Sequence, residues 1–357
     1  VARRAARLAL LALLPWLTHC ATAPRLEGIE PSYAIPPADT SRLDAAILKD
    51  LGPAPVASGV RLIEQNAMAF AYRAVTATAA ERTLDVQYYI WHDDFTGRLL
   101  AAELMRAAER GVRVRVLVDD IDARAKHEVF VIADTHPHLE VRVFNPFYSR
   151  SGLLGQVSEY VLRGSRLNHR MHNKAWIADN RVAIVGGRNV GDEYFGAAAH
   201  SNFSDLDLLL TGPIVGDVSA SFDAYWNSPN AVPVARFDGK RPKPGQLDKL
   251  IADAREYREE AVGSPYIQSL RDERRRAEML LDQPPTLRIE NVRLLVDDPS
   301  KVGTKEQGLR ASNVLAGLAG AMTGAEEELF IVSPYFVPGK RGAASLVAQA
   351  GRGVRVA

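Results

Sequence analysis

The sequence predicts an α/β fold: a mixed sheet flanked by helices, with one full repeat and the start of a second. Three observations carry this. Between residues 83 and 145 a strand pattern, a helical pattern and two further strand patterns follow one another on short links, the order of a βαβ unit. Residues 172–186 read as a tight hairpin. Late in the chain, 327–336 and 350–356 repeat the patterns of 81–90 and 108–114 at nearly the same offset. The 357 residues are 47% hydrophobic and 24% charged, enough for two domains and a sizeable core. The formal net charge of +1 supplies no global field for nucleic acid. A single cysteine, Cys20, excludes an intrachain disulfide framework or a cysteine-based zinc site.

Residues 1–23 read as a bacterial export segment. Arg3, Arg4 and Arg7 precede an apolar run at 8–17 and the small residues of "THCATAP". "LTHC" is similar to a lipobox, with Cys20 at the lipidated position and His19 where a small residue is usual. Lipid anchor and uncleaved anchor both remain open, and either places the protein at the cell envelope. Residues 24–58, rich in Pro, Ala and Ser, read as a tether.

A first domain is expected over 59–235. Ala67, Phe70, Ala71, Ala74 and Val75 have helical spacing within 64–80. Leu84, Val86, Tyr88 and Ile90 alternate as in a strand over 83–91. Leu100, Leu104 and Ala108 return to the helical period within 97–110, and Gly111 follows as a C-terminal cap. "VRVRVLVDD" (112–120) and "LEVRVFN" (139–145) are further strands, predicting a largely parallel, buried sheet. Asp119 and Asp120 fall at a strand's C-terminal end, where α/β sites gather. In the hairpin, "HNKAWIA" runs to the turn Asp179-Asn180 and "RVAIVG" returns. A strand over 205–213 and a helix over 214–227 close the domain. Residues 236–290 read as a charged helical connection with helices near 247–261 and 269–281. Residues 291–357 begin the second copy, which stops before any counterpart of 170–195. That reading makes this chain incomplete and inactive alone, unless two chains pair their single motifs as a homodimer.

The chemistry concentrates in "RMHNKAWIADNRVAIVGGRNVGDEYF" (170–195). Residues two apart on a strand share a face, so His172 and Lys174 project together. Gly186 and Gly187 permit close backbone approach, and Asn189 is placed to turn its amide toward the same pocket. An imidazole beside an ammonium and an amide, with no convergent set of acids, suits phosphoryl chemistry: a nucleophile and two donors to phosphoryl oxygens. His169 and His172 make a poor metal set; no metal or cofactor is expected. Asp179 sits at the turn, where a carboxylate commonly satisfies backbone donors. Tyr88 and Tyr89 read as core, with one of them at the substrate entrance.

The spacing His172-x-Lys174-x4-Asp179-x6-Gly186-Gly187-x-Asn189 resembles the HKD motif of the phospholipase D superfamily, with glycine at 187 where many members carry serine. The stretches "LDVQYYIW", "GVRVRVLVDD", "VRVFNPF", "DLDLLLTGP", "FDAYWNS" and "LLVDDPSKV" are similar to bacterial cardiolipin synthase C-type proteins over most of 59–357. The resemblance implies phosphatidyl transfer through a phosphohistidine, with Lys174 and Asn189 on the non-bridging oxygens. It implies phospholipid substrates (phosphatidylglycerol, with phosphatidylethanolamine as a further donor), a membrane surface as partner, and a second histidine as acid and base. Which histidine attacks is left open. The family's histidine-orienting carboxylate matches Asp205 best and Asp207 second, and Glu193 is a candidate polar wall. A nuclease of the same superfamily and a non-catalytic binder are the rival readings.

Overall fold

The computed structural model describes residues 27–38, 41–51, 56–147, 170–237, 241–272, 287–301, 313–331 and 337–357. The export-like segment 1–23 therefore lies outside the described residues, as do 273–281 and 332–336. Two compact units divide between Leu294 and Leu295.

In the first unit, helix α1 (Arg42–Leu51) precedes strand β1 (Ser58–Ile63), helix α2 (Asn66–Ala79), strand β2 (Thr83–Tyr88), helix α3 (Phe95–Glu109) and strand β3 (Arg113–Asp119). Helices α4 (Asp120–Ala123) and α5 (His127–Ala133) lead to strand β4 (Leu139–Phe144). The hairpin strands β5 (Ala175–Ala178) and β6 (Val182–Gly186) follow, then helix α6 (Asp192–Phe195), strand β7 (Asp207–Thr211), helix α7 (Ile214–Trp226) and strand β8 (Ala231–Pro233). Helices α8 (Gln246–Ala261) and α9 (Pro265–Ser269) and strand β9 (Leu287–Ile289) complete it. Among the described residues these strands form one sheet in the order β8-β4-β3-β2-β5-β6-β7-β1-β9. Only β2, β3 and β4 are parallel; the hairpin joins β2 antiparallel, with Val86 opposite Trp176. The sheet is thus mixed, with the predicted parallel unit toward its β8 edge and the antiparallel hairpin at its centre.

Strand alternation divides the core into two layers. Leu84, Val86 and Tyr88 pack in a cluster with Ala71, Val75, Leu100 and Leu104 of α2 and α3. Asp85 faces the other way, toward α7, where Arg115 is buried between Asp85 (2.7 Å) and Asp223 (2.8 Å) and lies over the Phe222 ring. Such a buried guanidinium is tolerated because every donor finds a partner.

Two stretches depart from expectation. The described part of 24–58 is no free tether. Ser32 N donates to Asn227 Oδ1 (3.0 Å) and Ala34 N to Asp223 Oδ2 (2.8 Å), while Ser32 O accepts from Arg115 and Pro36 O from Arg82. Proline-rich extended backbone lacks local hydrogen-bond partners, and the domain's polar side chains supply them. Helix α1 then opens on a capping box, with Asp44 N on Ser41 Oγ and Ser41 N on Asp44 Oδ2, and buries Leu43 and Ile47. Likewise 236–290 is part of the first unit: Arg258 of α8 pairs with Glu103 of α3 at 2.7 Å, Tyr266 Oη donates to Phe195 O, and β9 extends the sheet beside β1.

In the second unit, helix α10 (Asn313–Thr323), strand β10 (Glu328–Leu329), helix α11 (Gly339–Gly351) and strand β11 (Arg355–Val356) are described. The pair β10 and β11 is parallel around α11, repeating β2–α3–β3 on a smaller scale.

Candidate active site

The hairpin turn forms as its sequence requires. Asp179 and Asn180 both have positive φ, 52° and 53°, the backbone of a two-residue turn that Asn and Asp tolerate. The Asp179 carboxylate is fully buried and accepts from three successive backbone amides, Glu81 (3.0 Å), Arg82 (2.8 Å) and Thr83 (2.9 Å). It therefore ties the turn to the start of β2. His172 lies seven residues back along an extended chain, roughly 20 Å away at about 3.3 Å per residue. The Asp179 acceptors are thus engaged by backbone amides at the far end of the sheet from His172.

His172 and Lys174 come together at the C-terminal ends of the parallel strands. The β5 ladder begins at Ala175, so both residues sit on extended chain just before it. Lys174 Nζ lies 3.1 and 3.3 Å from the two ring nitrogens of His172 and donates to its carbonyl at 2.8 Å. The Tyr89 ring packs on the imidazole at a centroid separation of 4.9 Å, with Lys174 Nζ 5.6 Å from the same ring. His172 is exposed and Lys174 buried. Burial brings the Lys174 ammonium down to about 8, against the opposing pull of Asp205 and Asp207.

Asp205 is half-buried. A Cβ on Gly187 would overlap its carboxylate, so glycine here is the condition for Asp205 standing where it does. Asp207 is buried and committed to Arg73 at 2.9 Å, with Arg188 at 3.6 Å, which leaves it a core ion pair. Asn189 does not turn its amide onto His172 or Lys174. Its Oδ1 accepts from Ile90 N (3.2 Å) and its Nδ2 donates to Tyr194 Oη (3.0 Å), locking the 187–191 segment to the segment that carries Tyr89.

Sequence reasoning missed what seats these pieces. Asp119 accepts from Met171 N (3.0 Å) and from Arg170 Nη1 (3.2 Å). Asp120 accepts from Phe147 N and Asp122 from Trp91 N. The signal available was the position of "DDID" at a strand's C-terminal end; its partners are too distant in sequence to be read.

Among the described residues one set of metal-ligating atoms converges, on His92, Asp94 and Glu193, all within 4.8 Å of one another. They satisfy one another and the backbone. His92 Nδ1 is 3.1 Å from Glu193, and Asp94 accepts from Gly97 N at the start of α3 and from Asp192 N. Glu193 thus serves a hydrogen-bonded junction between α3 and α6.

The family described as "Cardiolipin synthase, PLD-like domain" matches residues 76–226. The chain is 39% identical to cardiolipin synthase C of Escherichia coli over 316 residues, covering 88% of this chain and 65% of that protein. It is 31% identical to an uncharacterised Helicobacter pylori protein, covering 85% of this chain and 59% of that one. The chain therefore spans less than two thirds of either relative. A solved phosphatidylserine synthase structure from Haemophilus influenzae superposes with a TM-score of 0.52 at 13% identity, over 88% of this chain, a likeness of fold. With the hairpin, its flanking sequence and the His172–Lys174 geometry in agreement, the chain is similar to cardiolipin synthase-like proteins of the phospholipase D superfamily over most of its length.

Proposed function

We propose that the protein is a phosphatidyltransferase acting on phospholipid phosphodiesters through a phosphohistidine at His172. The contact of Lys174 Nζ with the His172 ring carries this reading. An uncharged imidazole is the nucleophilic form, and the adjacent ammonium repels a second positive charge. In the first step the imidazole forms a nitrogen–phosphorus bond as the bond from phosphorus to the leaving alkoxide breaks, and the alkoxide takes a proton. In the second, an acceptor hydroxyl attacks phosphorus, releases the histidine and gives up its proton. With the glycerol hydroxyl of phosphatidylglycerol as acceptor the product is cardiolipin; with water it is phosphatidic acid.

Lys174 supplies charge to the non-bridging oxygens as it develops, and Asp205 keeps that ammonium protonated. Asn189 in this arrangement aligns the 187–191 segment. The proton donor and acceptor is a second histidine. Within these 357 residues His-x-Lys occurs once, and in this proposal the partner histidine comes from a second such motif.

Two features favour lipid over nucleic acid. Phe203 and Leu206, 48% and 50% exposed, flank Asp205 in sequence. A cavity of about 400 Å³ in the same unit is walled by Leu104, Met105, Val116, Phe130, Val141 and Tyr257, with Trp91 and His92 also in its lining. No helix among the described residues is long and apolar enough to cross a membrane; contact with the bilayer is proposed through exposed Phe203 and Leu206 and through the N-terminal segment. The test is conversion of labelled phosphatidylglycerol to cardiolipin by the intact protein, with and without phosphatidylethanolamine. Turnover lost in His172→Ala is expected; wild-type rates in that variant, or cleavage of nucleic acid in place of lipid, would overturn the reading.

A further inference from the structure

We infer that Asp119 is the positioning residue for His172, seating the backbone just before it and so fixing where the imidazole meets substrate. The inference rests on the reading of His172 as nucleophile. His172 hangs between two anchored points. On one side the β5 ladder takes hold at Ala175. On the other, both residues that precede His172 grip one carboxylate: Met171 N donates to Asp119 Oδ2 at 3.0 Å and Arg170 Nη1 approaches Asp119 Oδ1 at 3.2 Å. Asp119 is itself immobile, at the end of β3, with no exposed surface and with Ile121 N donating to Oδ1 at 2.9 Å. Arg170 is held from its other side by Asn145 O (3.0 Å) and by the Phe147 ring, 4.6 Å from the guanidinium carbon.

Three residues of extended chain between the clamp and the ladder carry His172 and Lys174. Charge-assisted hydrogen bonds to a buried carboxylate are the stronger kind, and a 1 Å error in a reacting group costs about 100-fold in rate. Asp119 thus performs for the His172 segment what a sheet ladder would have done. Burial raises the Asp119 carboxyl to about 6, with the charge of Asp120 adding to the rise and with Arg170 and the two amides opposing it. Tyr89, whose own ionisation Asp119 disfavours, lies near it as well. At neutral pH the carboxylate is charged and the clamp closed.

The test uses Asp119→Ala and Asp119→Asn in the intact protein. Asparagine keeps an acceptor for Met171 N and loses the charge that Arg170 meets. The expected result is a kcat lowered about 100-fold in Asp119→Ala and about tenfold in Asp119→Asn, with KM within about threefold of wild type. An unchanged kcat in folded Asp119→Ala overturns the inference. So does a kcat loss that merely tracks the folded fraction measured by near-ultraviolet circular dichroism. A second readout needs no turnover: the ring-proton resonance of His172 in histidine-labelled protein, displaced by the Tyr89 ring current. In both variants it should move toward its position in Tyr89→Leu; an unmoved resonance overturns positioning. If wild type transfers no phosphatidyl group, the functional reading falls, and the resonance alone decides this one.

Discussion

Lys174→Met is expected to stabilise the fold while sharply lowering turnover. Burial lowers the Lys174 pKa from 10.5 to about 8. That difference, about 2.5, corresponds to roughly 3 kcal/mol of penalty for holding the charge in the folded state at pH 7, at about 1.4 kcal/mol per pK unit. Methionine fills similar space without the charge. It forfeits the hydrogen bond to His172 O, worth about 1 kcal/mol, so the net gain is about 2 kcal/mol. The sign follows from proton binding. Between pH 8 and 10.5 the unfolded chain keeps a proton at this residue that the folded chain has released, so the contribution of Lys174 to wild-type stability rises with pH across that window. The advantage of the variant is therefore greatest at and below neutral pH and shrinks toward pH 10.5. Urea unfolding at pH 7 and pH 10 measures both. A variant less stable than wild type at pH 7, or an advantage that does not shrink at high pH, refutes the reasoning. Transfer activity should fall by about 10²–10³, as for a lost oxyanion donor.

Asp179→Ala should cost about 3 kcal/mol of stability, since three buried amides lose their acceptor and alanine inherits a positive φ; denaturation measures it, and kcat at temperatures where the variant is folded should be close to wild type. Asp205 supports the protonated form of Lys174, so Asp205→Asn should move the alkaline limb of the kcat/KM profile to lower pH and reduce the rate at pH 7 by roughly tenfold. An unmoved limb would separate Asp205 from Lys174.

What the sequence revealed, and what it hid, follows from the range of the interactions. The β2–α3–β3 unit is legible because Leu84, Val86 and Tyr88 obey one period and Leu100 and Leu104 another. The hairpin turn is legible because Asp179-Asn180 is a local chemical requirement. His172 and Lys174 meet at one point, as their spacing predicts, with Lys174 Nζ 3.1 Å from the imidazole. Asn189 was expected to share it and instead spans Ile90 and Tyr194, because its partners lie on other segments. The strap at 27–38 was hidden for a related reason. Its composition describes a linker, and what binds it are guanidinium and carboxylate groups more than forty residues away, such as Arg82, Arg115 and Asp223. The role of Asp119 was hidden in the same way: its position at a strand end was visible, its grip on Met171 was not.

The central claim is that His172 bonds to phosphorus. The most direct measurement is to mix the intact protein with a phospholipid labelled in its phosphatidyl group, quench in alkali to preserve the nitrogen–phosphorus bond, and map the labelled peptide by mass spectrometry. The account predicts a phosphatidyl adduct on His172, absent from His172→Ala. An adduct on another residue, or undiminished transfer by His172→Ala, would contradict it.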